Sequence, residues 1–103
     1  LLQHCSLLQS LDLAKNNLTA ESVKRMAPAL RLCTALTHLS VRHNKLGPSA
    51  VKLLVTEAAK CPNLIHLNLI DSDAGEEGAV RLGELLGDCR LRRVDLAAHN
   101  VWL

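Results

Sequence analysis

Cys5, Cys33, Cys61 and Cys89 stand 28 residues apart in a chain of 103 residues. A fixed period of that length marks a chain built by stacking one structural unit. Aligned on the cysteines, the chain divides into segments 5–32, 33–60 and 61–88 and a shorter 89–103, with 1–4 as the end of a preceding unit. Every segment then shows one apolar ladder. The first has Leu8, Leu11, Leu13, Asn16 and Leu18; the second has Leu36, Leu39, Val41, Asn44 and Leu46. The third has Leu64, Leu67, Leu69, Ser72 and Ala74, and the last, after a one-residue deletion, has Leu91, Val94, Leu96, His99 and Val101. The shared pattern is L-x-x-L-x-L-x-x-N-x-L.

The ladder dictates local structure. Leu11 and Leu13 alternate with Ser10, Asp12 and Ala14, as a strand with one buried face requires. The return to the next strand is long and reads as a helix, so successive strands should pair in parallel. Val23, Met26 and Leu30 recur at helical spacing, as do Val51, Leu54 and Ala58, and Ala79, Leu82 and Leu86. Pro48 suits a first helical turn, and Glu76 and Glu77 suit the positive end of the third helix. Ser22, Ala50 and Gly78 form a column of small residues, which predicts close approach of each helix to the strand layer. Pro28 conflicts with its helix and should kink it or shorten it to about 20–27.

On these residues the chain resembles the leucine-rich repeat family, in its ribonuclease-inhibitor-like subclass. The resemblance implies an α/β fold: a right-handed β-α solenoid, one region over 1–103, with a parallel sheet on the concave side and helices on the convex side. Asn16 and Asn44 would lie at the turn leaving each strand, where a buried amide can satisfy main-chain groups of the neighbouring coil. Ser72 reaches less far, leaving room for a bridging water, and His99 and Trp102 break the regularity of the last unit.

Cys5, Cys33, Cys61 and Cys89 have a disulfide, a zinc and a packing reading. Zinc would need local C-x-x-C pairs, which the sequence lacks. Equivalent sites at a helix-packing separation of roughly 8–10 Å would be too far apart for a disulfide, which needs Cα atoms within about 7 Å. The expectation is therefore buried, reduced thiols, a structural role, and an intracellular, reducing compartment.

Catalytic and cofactor readings fare poorly. His38 and His66 should sit side by side about 4.8 Å apart, but Ser10 and Arg93 flank them, so two solvated imidazoles are expected and no metal. His4 and His43 read as surface residues. Asp71-Ser72-Asp73-Ala74-Gly75 opens like a calcium loop, yet its twelfth position is Leu82 and lacks the required Glu. Phosphate-loop, dinucleotide, nucleophile-elbow and zinc-protease motifs are absent, so neither enzyme nor cofactor is expected.

The surface points to a protein partner. With Phe and Tyr absent and Trp102 the one aromatic, base stacking has no platform, and a net charge of +2 gives no reason to expect nucleic acid. No apolar run reaches membrane length, so no membrane partner is expected. The concave face should carry columns Ser10, His38, His66, Arg93; Asp12, Ser40, Asn68, Asp95; and Ala14, Arg42, Ile70, Ala97, with Lys15, His43, Asp71 and Ala98 at the edge. Of these, His38, Ser40, Arg42, His66, Asn68, Ile70, Asp71, Arg93 and Asp95 are the candidate contacts. Residues 1–52 carry a net +5 and residues 53–103 a net −3, a gradient that the first and third helices display on the convex side. The resemblance implies a protein-interaction scaffold within a larger repeat protein, its ends covered by further repeats or neighbouring chains. Alternatives are a structural spacer in a large assembly, a sensor segment like those of NOD-like receptors, or a GTPase-activating role. The last relies on a loop arginine that no Arg here matches.

Overall fold

A computed structural model of the chain describes residues 6–85 and 91–95. Strand β1 (Ser10–Asp12) leads to helix α1 (Ala20–Met26) and a 3₁₀ helix (Ala27–Leu32). Strand β2 (His38–Ser40) leads to α2 (Pro48–Ala58), β3 (His66–Asn68) to α3 (Gly75–Leu85), and β4 (Arg93–Asp95) follows. The strands form one parallel sheet in chain order. Its register is the ladder of the sequence: Leu11 lies beside Leu39, Leu39 beside Leu67, and Leu67 beside Val94.

Burial follows from that register. Leu36, Leu39 and Val41 of the second coil and Leu64, Leu67 and Leu69 of the third are each at most 1% exposed. They pack with Val23, Leu30, Val51, Leu54, Val55 and Leu82 from the helical layer. Each fully buried aliphatic side chain of this size contributes about 1.5–3 kcal/mol from removal of apolar surface. In the first coil Leu8, Leu11, Leu13 and Leu18 are only half-buried, although they pack against the same core.

The helices start and stop for local reasons. Thr19 caps α1 by accepting the Ser22 N–H at 3.2 Å. Pro28 does not kink α1 so much as convert it: the α-helix ends at Met26 and the chain continues as a 3₁₀ turn that holds Pro28 in its first turn. Its missing N–H costs little there. Pro48 opens α2, with Gly47 at φ +90 in the capping position. The small residue at Gly78 has a different cause from the one expected. A Cβ there would meet Val51 Cγ1 at 3.3 Å and Ala74 Cβ at 3.0 Å, so the tight approach is to the neighbouring helix α2 and the entering turn.

Asn44 ties two coils together. It is 2% exposed. Its Oδ1 accepts the N–H groups of Asn16 and Leu18, each at 3.0 Å, and its Nδ2 donates to the carbonyls of Leu13 and Val41 at 2.7 and 3.1 Å. One side chain thereby satisfies main-chain groups that a coil cannot pair internally. Asn16 is exposed, and among the described residues its side chain donates to the carbonyl of Ala14 alone. At Ser72 the main chain makes the contact between coils. The Ser72 carbonyl accepts from Leu46 and Gly47 at 3.1 and 3.2 Å, while its buried Oγ donates to the carbonyl of Leu69 at 2.7 Å.

The cysteine column needs correction. Cys33 and Cys61 are buried, at 0% and 4% exposure. Cys61 is a free thiol, donating to the Leu30 carbonyl at 3.4 Å, and burial beside Glu57 pushes it above its ordinary pKa. Cys33, however, is disulfide-bonded, to a cysteine outside the described residues. Helix packing is the wrong measure for Cys33, which caps the end of the 3₁₀ helix at the entry to the next strand, whereas Cys61 is the free buried thiol expected. Both lie where the chain turns toward the strand, and adjacent coils touch there: Asn63 Nδ2 reaches the Thr34 carbonyl at 2.8 Å. The disulfide removes the premise for expecting a reducing compartment. Cys5, Cys89, His4, His99 and Trp102 lie outside the described residues. No helix among the described residues is long and apolar enough to cross a membrane.

On the helical side, Glu57 accepts two hydrogen bonds from Arg31, at 2.9 and 3.0 Å, which hold its carboxyl below the usual range although burial opposes this. The bond joins the 3₁₀ helix of one coil to α2 of the next.

Leu39→Ala should cost about 2–5 kcal/mol, whereas Leu7→Ala, at a site 88% exposed, should stay within about 0.5 kcal/mol. Urea unfolding of both variants checks this. By the same measurement Asn44→Ala should lose at least about 2 kcal/mol, because it strands several buried main-chain groups, and Asn16→Ala should change little.

Candidate functional site

The sheet has one face under the helices and one open face, and alternation decides what the open face carries. Ser10, His38, His66 and Arg93 lie side by side across the strands, and Asp12, Ser40, Asn68 and Asp95 form the next column. The ladder continues beyond the strands. Leu13, Val41 and Leu69 donate to the carbonyls of Ser40, Asn68 and Asp95 at 2.9, 3.0 and 2.9 Å. Lys15 and His43 then donate to the carbonyls of Arg42 and Ile70 at 3.2 and 2.8 Å. This holds Arg42 and Ile70 in register on neighbouring coils, with Ala14 on the first.

The histidines are more constrained than expected. The His38 and His66 rings meet edge to face, with centroids 5.5 Å apart. His38 is exposed and shares a 2.8 Å hydrogen bond between Nδ1 and Thr37 Oγ1. His66 is half-buried, and its Nε2 lies 2.8 Å from Asp95 Oδ2. Asp95 also accepts from Arg93 Nε at 3.2 Å. Burial raises the Asp95 carboxyl, but the hydrogen bonds from His66 and Arg93 outweigh it and hold the group below its ordinary value. His66 is therefore clamped, whereas His38 fits the solvated reading.

The second column is held by its own backbone. Asp12 Oδ1 accepts the Ala14 N–H and Asn68 Oδ1 accepts the Ile70 N–H, each at 3.0 Å. Both are turns in which a short polar side chain bonds the backbone two residues on. Ser40, between them, leaves its Oγ buried with no hydrogen-bond partner among the described residues.

The rim carries a feature that sequence reasoning missed. Lys15, His43 and Asp71 all adopt left-handed backbone, at φ 56, 60 and 55. Non-glycine residues take that conformation at a cost, and only the repeated tight exit from each strand imposes it. Lys does not signal it; His and Asp are of types enriched there. The turn also brings His43 Nδ1 to 3.3 Å from Asp71 Oδ2, 28 residues away.

The structure thus places His38, Ser40, His66, Asn68, Arg93 and Asp95 on one face, with Arg42, Ile70 and Asp71 along its rim. Ala97 and Ala98 fall outside the described residues. Among the described residues no group of three or more His, Cys, Asp or Glu could hold a metal ion. The arrangement offers hydrogen bonds, charges and one partly exposed aliphatic side chain, Ile70.

Because the folded pKa of Asp95 is depressed, its stabilisation exists above the unfolded carboxylate range and is lost as pH falls through the folded value. Asp95→Asn should therefore destabilise the chain at pH 7, and the difference should shrink as pH falls below the ordinary carboxylate range. A series of urea unfolding curves from pH 7 downward measures it.

The Leucine Rich repeat family matches at residues 4–27 and 32–55. No curated relative matches the chain. Repeats of this family generally mediate protein–protein interaction and are typically non-enzymatic. The matched segments fall on two adjacent units of a four-stranded parallel β-α stack whose register repeats the leucine ladder, and together they support a leucine-rich repeat family for the chain.

Proposed function

We propose that the chain is a non-catalytic protein-interaction scaffold of the ribonuclease-inhibitor-like subclass, and that it binds its partner on the open sheet face. The subclass is supported by the 28-residue register and by the helices of eleven residues that follow β2 and β3. The observation that carries the binding site is the fixed geometry of that face. Three-residue strands hold polar side chains in columns, and hydrogen bonds such as His66–Asp95 orient them before any partner arrives. Preorganisation lowers the ordering cost of association. Binding there is led by hydrogen bonds and charge, with Ile70 as the apolar contact.

A second reading, a structural spacer whose flanks are covered by neighbouring coils or chains, draws support from the half-exposed apolar rows at both flanks. Leu8, Leu11, Leu13 and Leu18 form one, and Leu91 and Val94 the other.

Capture experiments from a native lysate separate the two. If the sheet face binds, charge reversal at Arg42 or Asp71 should reduce recovery of a soluble partner at least ten-fold, and reversal at Lys24 on α1 should leave it unchanged. Equal recovery by all variants would move the interface to the helices or the flanks.

A further inference from the structure

The sheet face and the helical side differ in how their charges are used. On the helical side Lys24, Arg31, Lys52, Lys60 and Arg81 each lie within 4.0 Å of a carboxylate: Glu21, Glu57, Glu77, Glu57 and Glu84 respectively. On the sheet face the carboxylates are engaged too. Asp95 takes His66 and Arg93, Asp71 takes His43, and Asp12 takes a main-chain N–H. What remains on the first two coils is cationic. Lys15, Arg42 and Lys45 are exposed and have no carboxylate partner among the described residues.

These three are also neighbours in the fold. They belong to the turns leaving β1 and β2, and the Lys15 N–H donates to the Arg42 carbonyl at 3.2 Å. On the next coil Arg42 is followed in register by Ile70, which is partly exposed. The sign of the rim then reverses, with Asp71 and Asp73 in the turn leaving β3. Coils are spaced by about 4.8 Å where strands pair. The rim therefore runs from unpaired cations, past an aliphatic side chain, to carboxylates within a few coil widths.

Resting on the sheet-face reading above, we propose that this rim docks an acidic, extended protein segment, its carboxylates on Lys15, Arg42 and Lys45 and an aliphatic side chain on Ile70. Charge complementarity selects acid over base. The reversal at Asp71 and Asp73 selects a polypeptide over a nucleic acid, because a uniformly anionic strand following the rim meets repulsion at the third coil. Nor does the described face hold a Phe, Tyr or Trp on which a base could stack, and the His38 and His66 rings are set edge to face against each other.

The test titrates the full ¹⁵N-labelled chain with a capped twelve-residue peptide in which one half alternates Glu and Ser, a central Leu follows, and the other half is uncharged Ser and Gly. Comparison probes are the same peptide with Gln for Glu and an oligouridylate of equal charge. The acidic peptide should shift the amides of Ala14, Lys15, Arg42, His43 and Ile70. At low salt it should bind at least ten-fold more tightly than either comparison probe. The double substitution Lys15→Glu and Arg42→Glu should remove that preference, while Lys24→Glu should keep it; retained spectral dispersion shows that each variant is folded. The proposal is overturned if the oligouridylate binds more tightly, if Lys24→Glu weakens binding as much, or if no probe shifts the rim amides. Should the Gln peptide bind the rim equally well and lose binding with Ile70→Asp, the acidic class fails while the sheet-face reading stands. Shifts confined to helical amides reject both.

Discussion

A coil of this chain cannot complete its own hydrogen bonds. Its strand is three residues long, and the main-chain groups at the strand and its exit turn are met by the coil alongside, through bonds such as Thr37 N–H to the Gln9 carbonyl and Leu13 N–H to the Ser40 carbonyl. Buried polar groups left unpaired are costly, so register between coils is not adjustable. A slip of one residue would move Leu39 to the open face and Ser40 into the core. The 28-residue period follows from this constraint. Each unit has to return its strand to the same height, and the aliphatic ladder and Asn44 hold it there.

The same constraint makes the open face useful. Side chains pinned by neighbouring coils have few conformations to lose on binding. His66 is held by Asp95, Asp95 by Arg93 as well, and Asp12 and Asn68 by their own turns. The left-handed turns of Lys15, His43 and Asp71 place a row of charged or ionisable residues along the rim at the price of local backbone strain. The helical side is built differently, with its charges largely consumed in ion pairs between and along the helices. Most helical cations have a carboxylate beside them, whereas Lys15, Arg42 and Lys45 at the rim have none among the described residues.

Alternation in the primary structure is a local property, and it was sufficient to assign inward and outward residues. Ser10, His38, His66 and Arg93 were readable as one column because parallel register and a constant period leave no other arrangement. Pro28 announced the end of α1 within a residue, since its effect on the preceding turn is steric and immediate. The disulfide at Cys33 was not readable. Its feasibility depends on how closely two coils approach at one height of the stack, and helix spacing was the wrong measure for a residue at the entry to the strand. Asn16 and Asn44 are identical in motif and differ in burial, because what such an amide bonds is set by the preceding coil.

Period, ladder and alternation therefore determined by themselves that this chain stacks β-α units around an aliphatic core, because burial of leucine at fixed intervals has few solutions. Which charges are already paired was decided only in three dimensions. Arg31 and Glu57, or His43 and Asp71, are 26 and 28 residues apart, and no local rule links them. Left-handed backbone at Lys15 belongs to the same class. It is imposed by the geometry of coil stacking against the preference of the residue itself, and so it leaves no trace in its identity.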